Sequence, residues 1–111
     1  VDGAWDLFHA GHVAVLRQAR TFGDYVIVGV HDDAEVNRVW GPAFPIMNLQ
    51  ERALSVLGCK FVDDVLMGPP IVITKQMLST LRINVVLRFP EDSADGRPRS
   101  ISTVSETDLR Y

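Results

Sequence analysis

Cysteine and lysine are scarce in this chain of 111 residues, and each scarcity excludes a class of protein. Cys59 is the only cysteine, so the chain can form neither an internal disulfide framework nor a thiolate cluster for zinc. Lys60 and Lys75 are the only lysines, the arginines are scattered singly, and the net charge is −3. Because no basic face is available, we predict that nucleic acid is not a partner.

Long hydrophobic runs are also absent. Every apolar run is much shorter than the roughly 20 residues that cross a bilayer, which predicts no transmembrane segment. No cationic and then apolar segment opens the sequence, and together with the lone cysteine this leads us to expect a cytoplasmic protein. We interpret residues 1–111 as one globular domain, and we expect it to be a fragment of a longer chain, because both ends resemble interrupted elements.

Short apolar runs alternate with helical patterns along the chain. Strands are predicted at 1–3, 26–30, 61–66 and 85–87, and helices at 13–22, from 49 onward and at 74–81. Residues 37–44 and 90–103 are predicted to be loops because they are rich in turn-forming residues. Such alternation is typical of a doubly wound, Rossmann-like α/β fold with a parallel sheet, whose ligands bind at the carboxyl edge.

The helix after residue 48 has a clear start signal. Asn48 and Glu51 have the spacing of a capping box, and Gly58 is predicted to end the helix. Four residues of this helix are predicted to face the core: Leu49, Ala53, Leu54 and Leu57.

The stretch Asp6-Leu7-Phe8-His9-Ala10-Gly11-His12 lies where the first strand leads into the first helix. Backbone N–H groups at a helix start point toward an anion, and the helix dipole adds to their effect. Both imidazoles can donate hydrogen bonds to phosphate oxygens, and Gly11 leaves space for close approach of a ligand. The pattern therefore predicts a cradle for the triphosphate of a nucleotide.

This turn, together with residues 23–30, 50–52 and 61–65, resembles the cytidylyltransferases of phospholipid and teichoic-acid synthesis. The stretch 45–57 is similar to the second of two tandem repeats in the members that act on phosphoethanolamine. The resemblance covers roughly positions 1–87. Its HxGH motif by itself is shared with other nucleotidyltransferases and with class I aminoacyl-tRNA synthetases.

The resemblance implies transfer of CMP from CTP, with Mg²⁺, to phosphoethanolamine, giving CDP-ethanolamine and pyrophosphate in phosphatidylethanolamine synthesis. It implies a second cytidylyltransferase-like domain as partner, in the same chain or in a homodimer, and it implies no protein ligands for a metal. The residues implied as catalytic are His9, His12 and Arg52, the last as a phosphate contact. Those expected to contact the nucleotide are Asp6, Gly11, Asp33, Ser105 and Thr107.

The chain departs from the family pattern in three places. Trp40 stands where active members have a lysine, and Arg38 is the cation nearest to it in sequence. Lys60 replaces an arginine, and the fourth strand continues into residues 88–92 without the usual motif. The final hydroxyl-rich motif fits two registers, 97–103 or 105–109.

Three hypotheses therefore stay open at the level of sequence. The domain is an active cytidylyltransferase, a degenerate second repeat with a structural or regulatory role, or a fragment of an adenylyltransferase or synthetase that shares the HxGH turn.

Overall fold

Three parallel strands form the main sheet of the computed structural model, which describes residues 1–70, 73–88 and 102–103. The strands lie in the order β1 (Asp2–Gly3), β2 (Ile27–Val30) and β3 (Asp64–Met67). Gly3 pairs with Val30, and Val30 pairs with Met67, so the three strands end at one edge. The parallel sheet with helical connections confirms the predicted Rossmann-like α/β class.

Four α-helices are present among the described residues. They are α1 (Ala10–Ala19), α2 (Asp33–Trp40), α3 (Leu49–Leu57) and α4 (Lys75–Thr80). A single 3₁₀ turn, Arg20–Phe22, extends α1, so helical backbone ends just before Gly23 as the sequence predicted. None of the described helices is long and apolar enough to cross a membrane.

Helix α2 corrects the predicted loop at 37–44, because residues 37–40 are helical. The carboxylate of Asp32 accepts a hydrogen bond from the Glu35 N–H at 2.8 Å and caps the helix. Val36 anchors the helix in the core, and Gly41 ends it with a φ of 107° that favours glycine. The prediction was wrong here because Asp32, which caps the helix, directly follows a strand and its role as a cap was not recognised.

Helix α3 confirms its predicted start and half of its predicted inner face. Asn48 accepts from the Glu51 N–H at 2.9 Å, and the Glu51 carboxylate accepts from the Asn48 N–H at 3.3 Å. Leu54 and Leu57, which were expected inside, are 68% and 50% exposed. Ala53 is buried and Leu49 packs against the core, as predicted. The other residues that the helix buries are Arg52 and Val56, which the sequence did not predict.

The fourth predicted strand lies at a different position in the sequence and pairs with a different strand than expected. The strand β4 (Leu87–Arg88) pairs antiparallel with β5 (Ser102–Thr103), and within the described residues these two form a sheet of their own. The prediction of a strand over 85–87 in the parallel sheet is therefore wrong in detail. A run of three apolar residues predicts burial, but it does not specify which strand will pair with it.

The main core lies between the sheet and helices α1 and α3. Its fully buried members include Leu16, Val28, Val30 and Val56, and Trp5 packs with them from the turn after β1. A smaller apolar cluster is formed by Ile73 and Val86 with side chains of α4. The sheet is thereby fixed between helices, and its carboxyl edge becomes the place where connecting loops meet.

Asp63 ties β3 to the other end of β2, opposite the carboxyl edge. Its carboxylate accepts the Val26 N–H at 2.8 Å and also pairs with the guanidinium of Arg20. The Val26 hydrogen bond, followed by the Arg20 side chain, lowers the pKa of Asp63 below its ordinary value of 3.8.

We expect the acid stability of the domain to depend on Asp63. Because its pKa is lower in the folded than in the unfolded state, its contribution is present above about pH 3.8 and is lost as the pH falls through the folded value. Urea unfolding of the protein at pH 7 and at pH 3 should show a smaller difference in Asp63→Asn than in wild type. The exposed Asp24→Asn is the control, and an unchanged pH difference in Asp63→Asn would refute the assignment.

Candidate active site at the carboxyl edge of the sheet

The turn between β1 and α1 is held in an unusual backbone conformation. Trp5 and Leu7 both have positive φ values, 57° and 49°, which cost a residue with a Cβ of the order of 1–3 kcal/mol each. The buried Trp5 indole compensates by donating from Nε1 to the Gly29 carbonyl at 3.0 Å. This strained turn fixes where Asp6 and the following histidines stand.

Asp6 joins this turn to the segment before α3. Its carboxylate accepts the backbone N–H groups of Ile46 at 2.6 Å and Met47 at 2.9 Å, and also that of Leu7. Sequence patterns gave no signal for these contacts, because they join residues about forty positions apart. Contact of Asp6 with a nucleotide stays a prediction. In the structure, the hydrogen bonds of Asp6 hold two loops together.

His9 and His12 form a stacked pair at the start of α1. Their ring centroids lie 4.0 Å apart at an interplanar angle of 26°. His12 also packs against the rings of Phe8 and Trp5, at 5.4 and 5.5 Å between centroids, whereas His9 is exposed. The structure therefore brings together the two imidazoles that the sequence singled out.

Hydrogen bonds define the state of both rings. The Gly11 N–H donates to His9 Nδ1 at 3.0 Å, and the His9 N–H donates to His12 Nδ1 at 3.2 Å. Since each Nδ1 is an acceptor, each neutral ring carries its proton on Nε2. Burial, followed by the charge of His9, lowers the pKa of His12 to about 4, so His12 is neutral at physiological pH.

The structure gives a reason for glycine at position 11 that the sequence did not suggest. A Cβ at this position would lie 2.7 Å from Cε1 and 2.9 Å from Nδ1 of the His9 ring. A side chain there would displace the imidazole that caps the helix. Contact of Gly11 with a nucleotide stays a prediction.

Arg52 reaches the same edge from inside the protein. Its side chain is fully buried, with 0% exposure, so Arg52 is not a solvated arginine on the helix surface. The guanidinium donates to the carbonyls of Ala4, His31 and Met47 at 2.7–2.9 Å and to Asp33 Oδ1 at 2.6 Å. The predicted phosphate contact of Arg52 stays a prediction.

Asp33 and His31, which follow β2, have different environments. Asp33 is the first residue of α2, and its side chain is 49% exposed at the carboxyl edge. The His31 ring is fully buried, with Nε2 3.2 Å from Asp2 Oδ2. Only Asp33 of the two is available to a ligand at the surface.

The remaining predicted elements of the site lie elsewhere. Ser105 and Thr107, with the two registers of the final motif, are outside the described residues. Arg38, the cation considered in place of a lysine, forms an exposed ion pair with Glu35 at 2.9 Å. A cavity of about 350 Å³ is lined by residues of all three strands and of α4, and the predicted histidines do not line it.

Comparison with known proteins identifies the family. The family model described as cytidylyltransferase-like matches residues 1–102. The chain belongs to the cytidylyltransferase-like family. The resemblance that was based on residues 1–87 is therefore confirmed.

Several relatives in the family carry a more specific name. The chain is 58% identical over 87 residues to ethanolamine-phosphate cytidylyltransferase of Dictyostelium discoideum and 49% identical over 87 residues to that of Arabidopsis thaliana. Each match covers 78% of this chain but only 24% and 21% of the relative. The chain is also 38% identical over 94 residues to the bifunctional protein HldE of Pseudomonas fluorescens. This match covers 85% of the chain and 20% of the relative. The chain thus spans about a quarter or less of the curated relatives it matches.

We predict that His12 titrates near pH 4, well below an ordinary histidine. Its ring signals in an NMR titration should keep their neutral shifts until the pH approaches that value. His9→Ala should raise the midpoint, because it removes the neighbouring charge that opposes protonation of His12. A wild-type midpoint near 6.5 would contradict the described environment.

Proposed function

We propose that this domain transfers CMP from CTP to phosphoethanolamine and releases pyrophosphate, as a step in phosphatidylethanolamine synthesis. The observation that carries the proposal is the stacked His9–His12 pair at the start of α1, with both Nδ1 atoms occupied and both Nε2–H groups left as donors. The relatives named ethanolamine-phosphate cytidylyltransferase support the choice of substrates.

The reaction needs charge stabilisation more than proton transfer. An anionic phosphate oxygen of phosphoethanolamine attacks the α-phosphorus of CTP, the new P–O bond forms, and the bond to pyrophosphate breaks. The attacking oxygen already carries charge at neutral pH, so the site needs no strong base. Catalysis then consists of aligning two anions and stabilising the charge that develops on the departing pyrophosphate.

The two imidazoles suit this work. Each Nε2–H can donate to a phosphate oxygen, and the N-terminal end of the α1 dipole favours the same negative charge. The low pKa of His12 keeps its protonation state constant over the physiological range. We infer that His9 and His12 hold the phosphates of CTP, whereas Asp33 is available to a ribose hydroxyl.

Mg²⁺ enters this proposal as part of the substrate, bound to the phosphates of CTP. Within residues 1–70, 73–88 and 102–103 no group of three or more histidine, cysteine, aspartate or glutamate side chains is arranged to hold a metal ion. A cation that arrives with the nucleotide needs no such group, since Mg²⁺ is commonly held by substrate phosphates and water.

The proposal includes a partner and a cellular location. The chain spans only about a quarter of its relatives, which supports a second cytidylyltransferase-like domain in the same parent chain, or otherwise a homodimer. We propose the cytoplasm as its location, where a free, buried thiol such as Cys59 stays reduced.

The first test measures turnover with CTP, Mg²⁺ and phosphoethanolamine in the natural full-length protein. His9→Ala and His12→Ala should each lower kcat by about 10²–10³-fold, the usual effect of removing one donor to a developing oxyanion. Gln18→Ala, in the exposed last turn of the same helix, is the matched control and should keep wild-type kcat.

Unchanged turnover in both histidine variants would refute catalysis by this domain and favour the degenerate repeat. One observation favours that alternative: Arg38, which would have to replace the family's lysine, is engaged by Glu35. CTP calorimetry on the same proteins separates a repeat that binds nucleotide without turnover from one that does not bind it.

The choice of nucleotide gives a second prediction. CTP with Mg²⁺ at about 100 times its dissociation constant should stabilise the protein by about 2.7 kcal/mol, which raises the thermal midpoint by several degrees. ATP at the same concentration should raise it less. A larger shift with ATP than with CTP would instead support an adenylyltransferase or synthetase fragment.

A further inference from the structure

The guanidinium of Arg52 is a buried positive charge at the edge of the sheet where the histidine pair stands. Its side chain has no exposed surface, although arginine is seldom fully buried. A buried charge is tolerated only where polar partners surround it. The partners of Arg52 therefore indicate what it does.

Those partners come from three separate loops. Nη1 donates to Ala4, which begins the turn toward the histidines, and to His31, which follows β2. Nε donates to Met47 in the loop before α3, and Nη2 donates to Asp33 at the start of α2. One planar group thus fixes the mutual positions of every loop described above as part of the site.

This arrangement leaves little capacity for a phosphate. A guanidinium has five N–H groups, and four of those of Arg52 are already donated to protein oxygens. An incoming phosphate would have to displace some of these bonds and open the loops that cover the group. The bonds that exist favour an indirect role.

Two groups transmit the position of Arg52 to the surface. One carboxylate oxygen of Asp33 accepts a hydrogen bond from Arg52, yet the Asp33 side chain is about half exposed to solvent. Met47 offers its carbonyl to Arg52 while its N–H is held by Asp6, which belongs to the strained turn before the histidines. A shift of the guanidinium would displace the carboxylate and the histidine turn together.

We propose that Arg52 is a positioning residue of the nucleotidyl-transfer site, acting through Asp33 and through the Met47–Asp6 link and making no contact with the phosphates of the nucleotide. The inference rests on the proposed function, because it assumes that CTP binds at this edge. It differs from the role that the sequence resemblance implied.

The test compares CMP, CDP and CTP with wild type and with Arg52→Lys in the full-length protein. Lysine keeps the charge but lacks the planar fork, so it cannot reach four acceptors. We expect kcat to fall and the affinities for all three nucleotides to weaken by a similar factor, roughly tenfold. Arg20→Lys is the matched control, since Arg20 pairs with Asp63 at the opposite edge of the sheet, and it should change neither quantity.

A loss of affinity that grows with each added phosphate would overturn the proposal, because it would show a contact with the phosphate chain. If Arg52→Lys lowered the thermal midpoint but left kcat and the nucleotide affinities unchanged, the proposal would also be overturned, because Arg52 would then have a structural role only.

A double-mutant cycle tests the route through Asp33. Asp33→Ala combined with Arg52→Lys should lower kcat and the nucleotide affinity by less than the product of the two single reductions. Independent, multiplicative losses would contradict the route through Asp33.

A measurement on wild type decides the matter if Arg52→Lys does not fold. The side-chain ¹⁵N resonances of Arg52 should respond alike to CMP and to CTP, and a response to CTP alone would overturn the proposal. Failure of the wild-type protein to bind CTP has a different meaning. It would refute the proposed function, and the inference about Arg52 with it.

Discussion

The buried guanidinium of Arg52 is the interaction on which the carboxyl edge depends. An unpaired charge in the interior would cost several kcal/mol, so the loops that supply its acceptors must stay closed around it. One of these loops follows β1, one follows β2 and one precedes α3. They are distant in sequence and become neighbours only in the folded protein. The site is therefore assembled from inside the protein outward.

The histidine pair is held by hydrogen bonds between residues that are close together in the sequence. His9 caps α1 through Nδ1, and its own N–H is satisfied by His12, so the two rings fix each other's orientation and tautomer. Gly11 has to be glycine because the cap places the His9 ring where a Cβ would be. Burial of His12 among aromatic rings then keeps it neutral. Capping, packing and protonation state follow from one arrangement.

The sequence predicted features of the fold whose causes are local. The Asn48–Glu51 capping box was found because its partners are three residues apart, and the parallel class was found because strands and helices alternate. Helix α2 was missed because Asp32 lies just after a strand and at the same time caps the helix. Two leucines of α3, Leu54 and Leu57, were misassigned because leucine was expected inside, whereas the hydrogen bonds of Arg52 turn the face that carries Arg52 inward.

By itself, the sequence determined the fold class, the place of the histidine turn and the family to which the chain belongs, because short-range patterns encode all three. Tertiary structure alone decided that His12 is neutral, that Asp6 binds the loop before α3, and that Arg52 lies inside rather than on the surface. These properties depend on desolvation and on hydrogen bonds between residues far apart in the chain. Neither exists until the strands and helices have packed.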